Sequence, residues 1–396
     1  MATQKKESDD VSILGLLPVF LKITLALDYR LLISPFRGTK SKARTYRRDV
    51  SYATLRSILS NLSALQGQRL TPSTTQIYER IARARNTTPT SIDLGAGASA
   101  HWIGPRSAKH VLLYFHGGGY IAAASPGHMK YQFDLQRALS RSDCDVAILS
   151  LSYTLAPGAT YPTQLAQAVS ALRYLLAAEN RAPETVLLGG DSAGGNLACA
   201  VLLHLARAHP DQSVEPLELG EGRRLRGAVL ISPWVDFATG EESFERNKET
   251  DYLSIRALDR ASSTFVGLGG KRDMYCHPSE AESEAWRDVA GKVDEILIWG
   301  GGGEILIDGI RKFAGIVEKG FDLAQDAGVD KETGVGSKEV EAEVGNGGKE
   351  GHREKRVKYV ETPRMAHEEM IIDRVLRIKK RERGEAEIES WLSSRL

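Results

Sequence analysis

From about residue 90 onward, apolar and polar positions fall into a regular rhythm. Short apolar runs rich in β-branched residues stand at 111–115, 146–153, 185–188, 228–232 and 295–299, with a shorter one at 357–360. Runs of this length and character read as strands buried on both faces. Helix-length segments separate them. Residues 162–178 carry Leu165, Val169, Leu172 and Leu176 at steps of three and four, the spacing that lines one face of a helix. Residues 197–208 continue the helical pattern after the third run. Alternating buried strand and amphipathic helix predicts an α/β fold, with a mostly parallel central sheet covered by helices on both faces.

Three regions depart from this rhythm. Residues 241–292 are mixed and helix-leaning, as an inserted cap would be. Residues 329–356 contain 13 charged residues and 6 glycines among 28, without Leu, Ile, Met, Phe, Tyr or Trp. Such a stretch cannot bury enough apolar surface to offset its ordering entropy, and it reads as a disordered insertion. Residues 1–89 precede the rhythm and read as an apolar helix followed by cap helices. The organisation expected is therefore an N-terminal segment, 1–89, and one large domain, 90–396, carrying both insertions. No internal repeat is evident.

Within the N-terminal segment, residues 12–27 are apolar but interrupted by Pro18 and Lys22. They fall short of the ~20 apolar residues that a spanning helix needs. Two readings stand: a peripheral or short-anchor membrane contact, or a helix packed over a cleft. The polar opening MATQKKESDD does not resemble a secretory leader. An intracellular protein is expected, cytoplasmic or on an internal membrane and not secreted.

Composition narrows the function classes. Lys and Arg total 52 against 51 Asp and Glu, a net charge of +1 that argues against a nucleic-acid binder. Cys144, Cys199 and Cys276 are too few and too scattered for a disulfide framework, which fits a reducing compartment. The nine histidines show no metal-ligand spacing, so neither metal nor cofactor is expected. The 38 glycines, against 14 prolines, are informative through their positions.

One glycine cluster follows the third apolar run. Gly190-Asp191-Ser192-Ala193-Gly194 has the Gly-x-Ser-x-Gly pattern of a nucleophile elbow. A serine on a sharp strand-to-helix turn needs neighbours without side chains, because a β-carbon there would strike the adjoining strand or helix. The turn also aims the first helical N–H groups at developing negative charge. Upstream, the first run leads into His116-Gly117-Gly118-Gly119-Tyr120. Consecutive glycines let backbone amides approach a ligand oxygen, which assigns Gly118 and Gly119, together with Ala193, to an oxyanion hole. His116 reads as a residue that holds this loop, since a base would follow the acid along the chain.

The chain order Ser, then acid, then His directs attention downstream. Glu304 follows the glycine run 300–303 at the end of a late strand. Asp308, one helical turn on, is the alternative, as a partner of the helix dipole. After the last run comes His367, the only later histidine apart from His352 in the polar insertion.

These residues resemble the hormone-sensitive-lipase-like branch of the α/β-hydrolases. The resemblance rests on the HGGGY segment, on Gly189-Gly190-Asp191-Ser192-Ala193-Gly194-Gly195-Asn196, on residues 152–157 ahead of Tyr161-Pro162, and on Ser232-Pro233-Trp234-Val235-Asp236. It covers roughly 90–316 and 357–392. It implies a serine carboxylesterase acting on short acyl esters beneath a helical cap. Glu304 and the apolar N-terminal segment are most similar to fungal members that deacetylate sterols and other lipophilic alcohols. Glutamate replaces the commoner aspartate, and Thr154 stands where arginine is expected.

The expected chemistry is ester hydrolysis through an acyl-serine, with Ser192 as nucleophile, His367 as base and Glu304 orienting it. The alternatives are a non-catalytic small-molecule receptor on the same fold, or a dehydratase, amidase or acyltransferase using the same site. Gly95-x-Gly97-x-x-Ala100 fits the letters of a dinucleotide motif. The acid that would bind the ribose is missing, because no Asp or Glu lies between Asp93 and Asp134. The basic residues Arg374, Arg377, Lys379, Lys380, Arg381 and Arg383 read as a solvated helix followed by a core-facing Ile388, Trp391 and Leu392.

Overall fold

The sheet positions everything else in the molecule. A computed structural model of the chain describes residues 12–38, 42–328, 355–378 and 382–396. The polar insertion lies outside these apart from its last two residues, as do Lys379, Lys380 and Arg381. Eight strands are present: β1 (Thr90–Gly95), β2 (Ala98–Ile103), β3 (His110–Phe115), β4 (Val146–Ser152), β5 (Val186–Asp191), β6 (Gly227–Ile231), β7 (Ile296–Gly301) and β8 (Val357–Thr362). Their order is β1-β2-β4-β3-β5-β6-β7-β8. The six strands from β4 to β8 are mutually parallel, and β1 and β2 run antiparallel at one edge.

Successive residues of the central strands point into two cores. Val111, Leu113, Phe115, Val186, Leu188, Ile296 and Ile298 face one, and Leu112, Tyr114, Leu187, Leu297 and Trp299 face the other. Both faces are therefore dry, which is why these strands are apolar throughout instead of alternating. Helices Thr163–Arg173, Ala193–Ala206 and Ile307–Asp326 cover the first face. Helices Pro126–Arg141 and Arg383–Ser393 cover the second, the latter through the buried Ile388, Trp391 and Leu392.

β1 and β2 are the strands that the apolar pattern did not announce, since β1 is largely exposed. The letters Gly95-x-Gly97-x-x-Ala100 mark their tight hairpin, with Gly95, Ala96 and Gly97 all at positive φ. A dinucleotide loop joins a strand to a helix, so this geometry removes that rival. The basic run also differs from expectation. One helix ends at Val375 and the next begins at Arg383, while Arg374 is drawn between Asp134 and Glu385 at 2.8 and 2.5 Å.

Helices Ile13–Ile33, Tyr46–Asn61, Ala64–Leu70 and Thr74–Ala84 precede β1, and the last of them buries Ile77, Tyr78 and Ile81 in the second core. Arg30 forms a two-point ion pair with Asp49 at 2.9 Å and reaches Glu249 at 2.9 Å. Arg260, on the inserted helix Ile255–Val266, donates to the carbonyls of Leu59, Ser60 and Leu62. Farther on, helix Ser283–Ala290 packs Trp286 against Phe313 in the layer covering the sheet. Among the described residues, no helix is long and apolar enough to cross a membrane. Cys144, Cys199 and Cys276 are free and buried.

Candidate active site

β5 runs three residues beyond its apolar part, through Gly189 and Gly190 to Asp191, and ends against Ser192. Ser192 takes φ 49° and ψ −116°, immediately before helix Ala193–Ala206. Such a conformation costs about 1–3 kcal/mol and persists only where its surroundings impose it. Here the Ser192 amide donates to Ile231, and its carbonyl accepts from Trp234 and Asn196, at 2.9 to 3.0 Å. A β-carbon on Gly190 would lie 2.3 Å from the Gly194 carbonyl, and one on Gly194 only 1.9 Å from the Phe115 oxygen. The turn therefore excludes side chains at both glycines.

The loop after β3 approaches this turn. Gly117 donates to Asp191 Oδ2 at 2.7 Å, tying the loop to the residue before Ser192. Gly118 and Gly119 take φ values of 111° and 61°, and their amides find no acceptor among the described residues. Helix Ala193–Ala206 has no side-chain cap at its start. Amides of this kind at a helix start and in a glycine loop suit a developing oxyanion. His116 is fully buried, stacks on Tyr153 with centroids 4.4 Å apart, and its Nδ1 lies 2.7 Å from the Gly117 carbonyl. Burial, aided by His128, pulls its pKa down to about 4, so the ring is neutral and serves the loop. Tyr120 closes the loop, donating to Asn196 at 2.7 Å and stacking on Phe265 at 3.8 Å.

β7 likewise runs on through Gly300 and Gly301. A β-carbon at Gly301 would meet the Met365 carbonyl at 2.4 Å, so only a bare backbone lets the loops after β7 and β8 come together. Their approach places Glu304 Oε2 2.6 Å from His367 Nδ1. Glu304 Oε1 accepts from the Gly301 amide at 2.6 Å and from Ser232 at 3.0 Å. Burial disfavours charge on His367, but the Glu304 hydrogen bond and charge outweigh it and raise its pKa. Asp308 is elsewhere, held by Arg246 and Arg311 at 2.6 Å and by the Ser243 amide at 2.8 Å.

Several residues at the site escaped the sequence reading. Asp251, fully buried in the inserted region, accepts from the amides of Tyr252, Ile305 and His367 at 2.7, 2.8 and 3.3 Å. His128, Glu368 and Tyr252 gather around Asp191 and His367. The only available hints were that Glu368 adjoins His367 and Asp191 adjoins Ser192. Three acids, Glu369, Asp373 and Glu382, also converge on one another. Arg44 and Arg48 contact all three and supply the positive charge there.

A family model described as α/β hydrolase fold matches residues 112–333. The chain is similar to steryl acetyl hydrolase 1 of Saccharomyces cerevisiae, 26% identical over 203 residues, 48% of this chain and 44% of that protein. It is also similar to an acetyl-hydrolase of Streptomyces hygroscopicus, 33% identical over 215 residues, covering 54% and 64%. The matched part spans less than two thirds of either relative. Among solved structures, a hormone-sensitive-lipase homologue from a metagenome library aligns with TM-score 0.57 and 25% identity, covering 88% of this chain and 98% of that one. An esterase of the bacterial hormone-sensitive lipase family aligns with TM-score 0.57 at 23% identity, covering 89% and 99%.

Proposed function

The chain belongs to the α/β hydrolase fold family, and on that premise we propose that it is a serine carboxylesterase. Its substrate would be a short acyl ester, an acetate foremost, of a small lipophilic alcohol. The observation that carries this reading is the buried Glu304–His367 pair at 2.6 Å. It stands at the same end of the sheet as the strained Ser192 turn and the glycine loop. The acetyl-hydrolase names of two relatives support the acyl preference.

In this mechanism Glu304 accepts a hydrogen bond from the Nδ1–H of His367 and so leaves Nε2 free to act as base. Ser192 attacks the ester carbonyl and passes its proton to His367. The amides of Gly118, Gly119 and Ala193 receive the oxyanion. His367 then protonates the departing alcohol, and water repeats the sequence on the acyl-serine. No step calls for a metal or cofactor.

Leu14, Leu17, Leu21, Leu25 and Leu32 form an exposed apolar stripe along helix Ile13–Ile33. This stripe supports a peripheral membrane contact, which would suit a lipophilic substrate. Three free buried thiols support an intracellular setting, where they stay reduced.

A fluorophosphonate probe tests the catalytic reading directly. Wild type should be labelled at Ser192 and should hydrolyse p-nitrophenyl acetate, and Ser192→Ala should do neither. Absence of labelling in folded wild-type protein would favour a non-catalytic receptor instead.

A further inference from the structure

Asp191 precedes Ser192, and Glu368 follows His367. The two carboxyl groups lie together inside the protein, an oxygen of each within 4.8 Å of the other and of a His128 nitrogen, both at 3% exposure or less. A β-carbon placed on Gly117 would strike both at once, Asp191 Oδ2 at 2.3 Å and Glu368 Oε1 at 2.7 Å. Two ionised carboxylates cannot share so small a buried volume, so one carries a proton.

The donors decide which. Tyr114 donates to Asp191 Oδ1 and Gly117 to Asp191 Oδ2, each at 2.7 Å, and His128 Nε2 lies 3.0 Å from Oδ2. Glu368 Oε1 receives no donor among the described residues, and Oε2 accepts only a 3.4 Å contact from Tyr252. Asp191 is therefore solvated as an anion, and Glu368 as an acid whose O–H points outward to it.

We propose that Glu368 is a positioning residue that acts as a neutral carboxylic acid, donating to Asp191 and so clamping the His367 turn to the Ser192 turn and the oxyanion loop. The inference rests on the esterase reading above. Glu368 itself adopts φ 44° and ψ 35°, a left-handed conformation uncommon for a residue with a side chain. Neutrality matters for a second reason. Glu368 Oε1 is 3.5 Å from His367 Nε2, the nitrogen that must serve Ser192. An ionised Glu368 would hold that nitrogen as imidazolium.

The titration tendencies agree with this arrangement. Burial pushes Glu368 well above the usual carboxylate range, and Asp191 pushes it further. Burial also works against Asp191, but His128, Glu368 and Tyr114 together bring it down to about 2. The titratable groups facing Glu368 are Asp191, His128, His367, Tyr114, Tyr153, Tyr252 and Glu304.

The test compares Glu368→Gln with Glu368→Ala in the full chain. Glutamine offers an N–H to Asp191 and does not titrate. E368Q should keep kcat on p-nitrophenyl acetate at pH 7 within about threefold, whereas E368A should lose about tenfold or more with KM little changed. The alkaline decline of kcat/KM should move to higher pH in E368Q. A second readout needs no activity. A carboxyl whose folded pKa is raised contributes stability at low pH that disappears as pH rises to that pKa. The thermal midpoint of wild type should therefore fall between pH 5 and 9 more than that of E368Q. Equal profiles for wild type and E368Q, an E368A with full kcat, or an E368Q as impaired as E368A would each overturn the proposal. Wild-type protein that neither labels nor turns over would instead sink the esterase reading, and the melting profiles would still judge Glu368.

Discussion

Asp251 accepts the backbone N–H of His367 at 3.3 Å, while its other oxygen takes the N–H of Ile305, the residue after Glu304, at 2.8 Å. One buried carboxylate thus holds both the proposed acid and the proposed base by their backbones. It comes from the loop just before helix Ile255–Val266, far along the chain from both. Asp251→Ala would strand three amides. We expect a loss of about 2–4 kcal/mol in stability and a fall in kcat larger than any rise in KM. Thermal unfolding and steady-state kinetics check both. An unchanged melting point would show that the carboxylate is not bracing these loops.

Glu304 and Asp308 separate cleanly by mutation. Glu304→Gln removes the acceptor that fixes the His367 tautomer and should cost roughly 10³–10⁴-fold in kcat. Asp308→Asn disturbs only partly exposed ion pairs with Arg246 and Arg311, of the kind worth about 1 kcal/mol or less. Its kcat should stay within about threefold of wild type. The reverse pattern would move the acid to Asp308.

On the acid side, activity should follow His367. The base must be neutral in the free enzyme, and the Glu304 contact, set against the opposing effect of burial, raises the His367 pKa above its ordinary 6.5. The rate kcat/KM should therefore fall as pH drops through a value above 6.5. In Glu304→Gln the residual activity should show this limb at lower pH. A limb that stays in place would disconnect Glu304 from the histidine.

Two glycines make opposite predictions. Gly194→Ala drives a β-carbon to within 1.9 Å of the Phe115 oxygen and should give insoluble or inactive protein. Gly67→Ala, inside helix Ala64–Leu70 with open space around it, should be neutral or stabilising by up to ~1 kcal/mol. Soluble expression and melting temperature decide the comparison.

The chain's own pattern reveals a great deal here. The central strands are apolar throughout because both faces of the sheet are covered, and a linear sequence records that directly. The glycines of 117–119, 190, 194 and 300–303 stand out because local backbone approach needs bare residues, and local needs are written locally. The edge hairpin β1–β2 left a weaker trace, since the exposed β1 carries little apolar signal. Its Gly95-x-Gly97-x-x-Ala100 turn even imitated a different fold.

What the sequence by itself determined is the succession of the six parallel strands and the segments that carry Ser192, Glu304 and His367. The sequence already favoured Glu304 over Asp308 by its place directly after the strand, and the tertiary structure sets Glu304 beside the histidine and Asp308, four residues on, among arginines. Only the fold joined Asp251 to Ile305 and His367, or Asp191 to Glu368 across 177 positions. The physical reason is that burial sets the protonation of a carboxyl group, and burial belongs to the packed molecule. A lone Asp or Glu in a sequence is ambiguous until its donors are known.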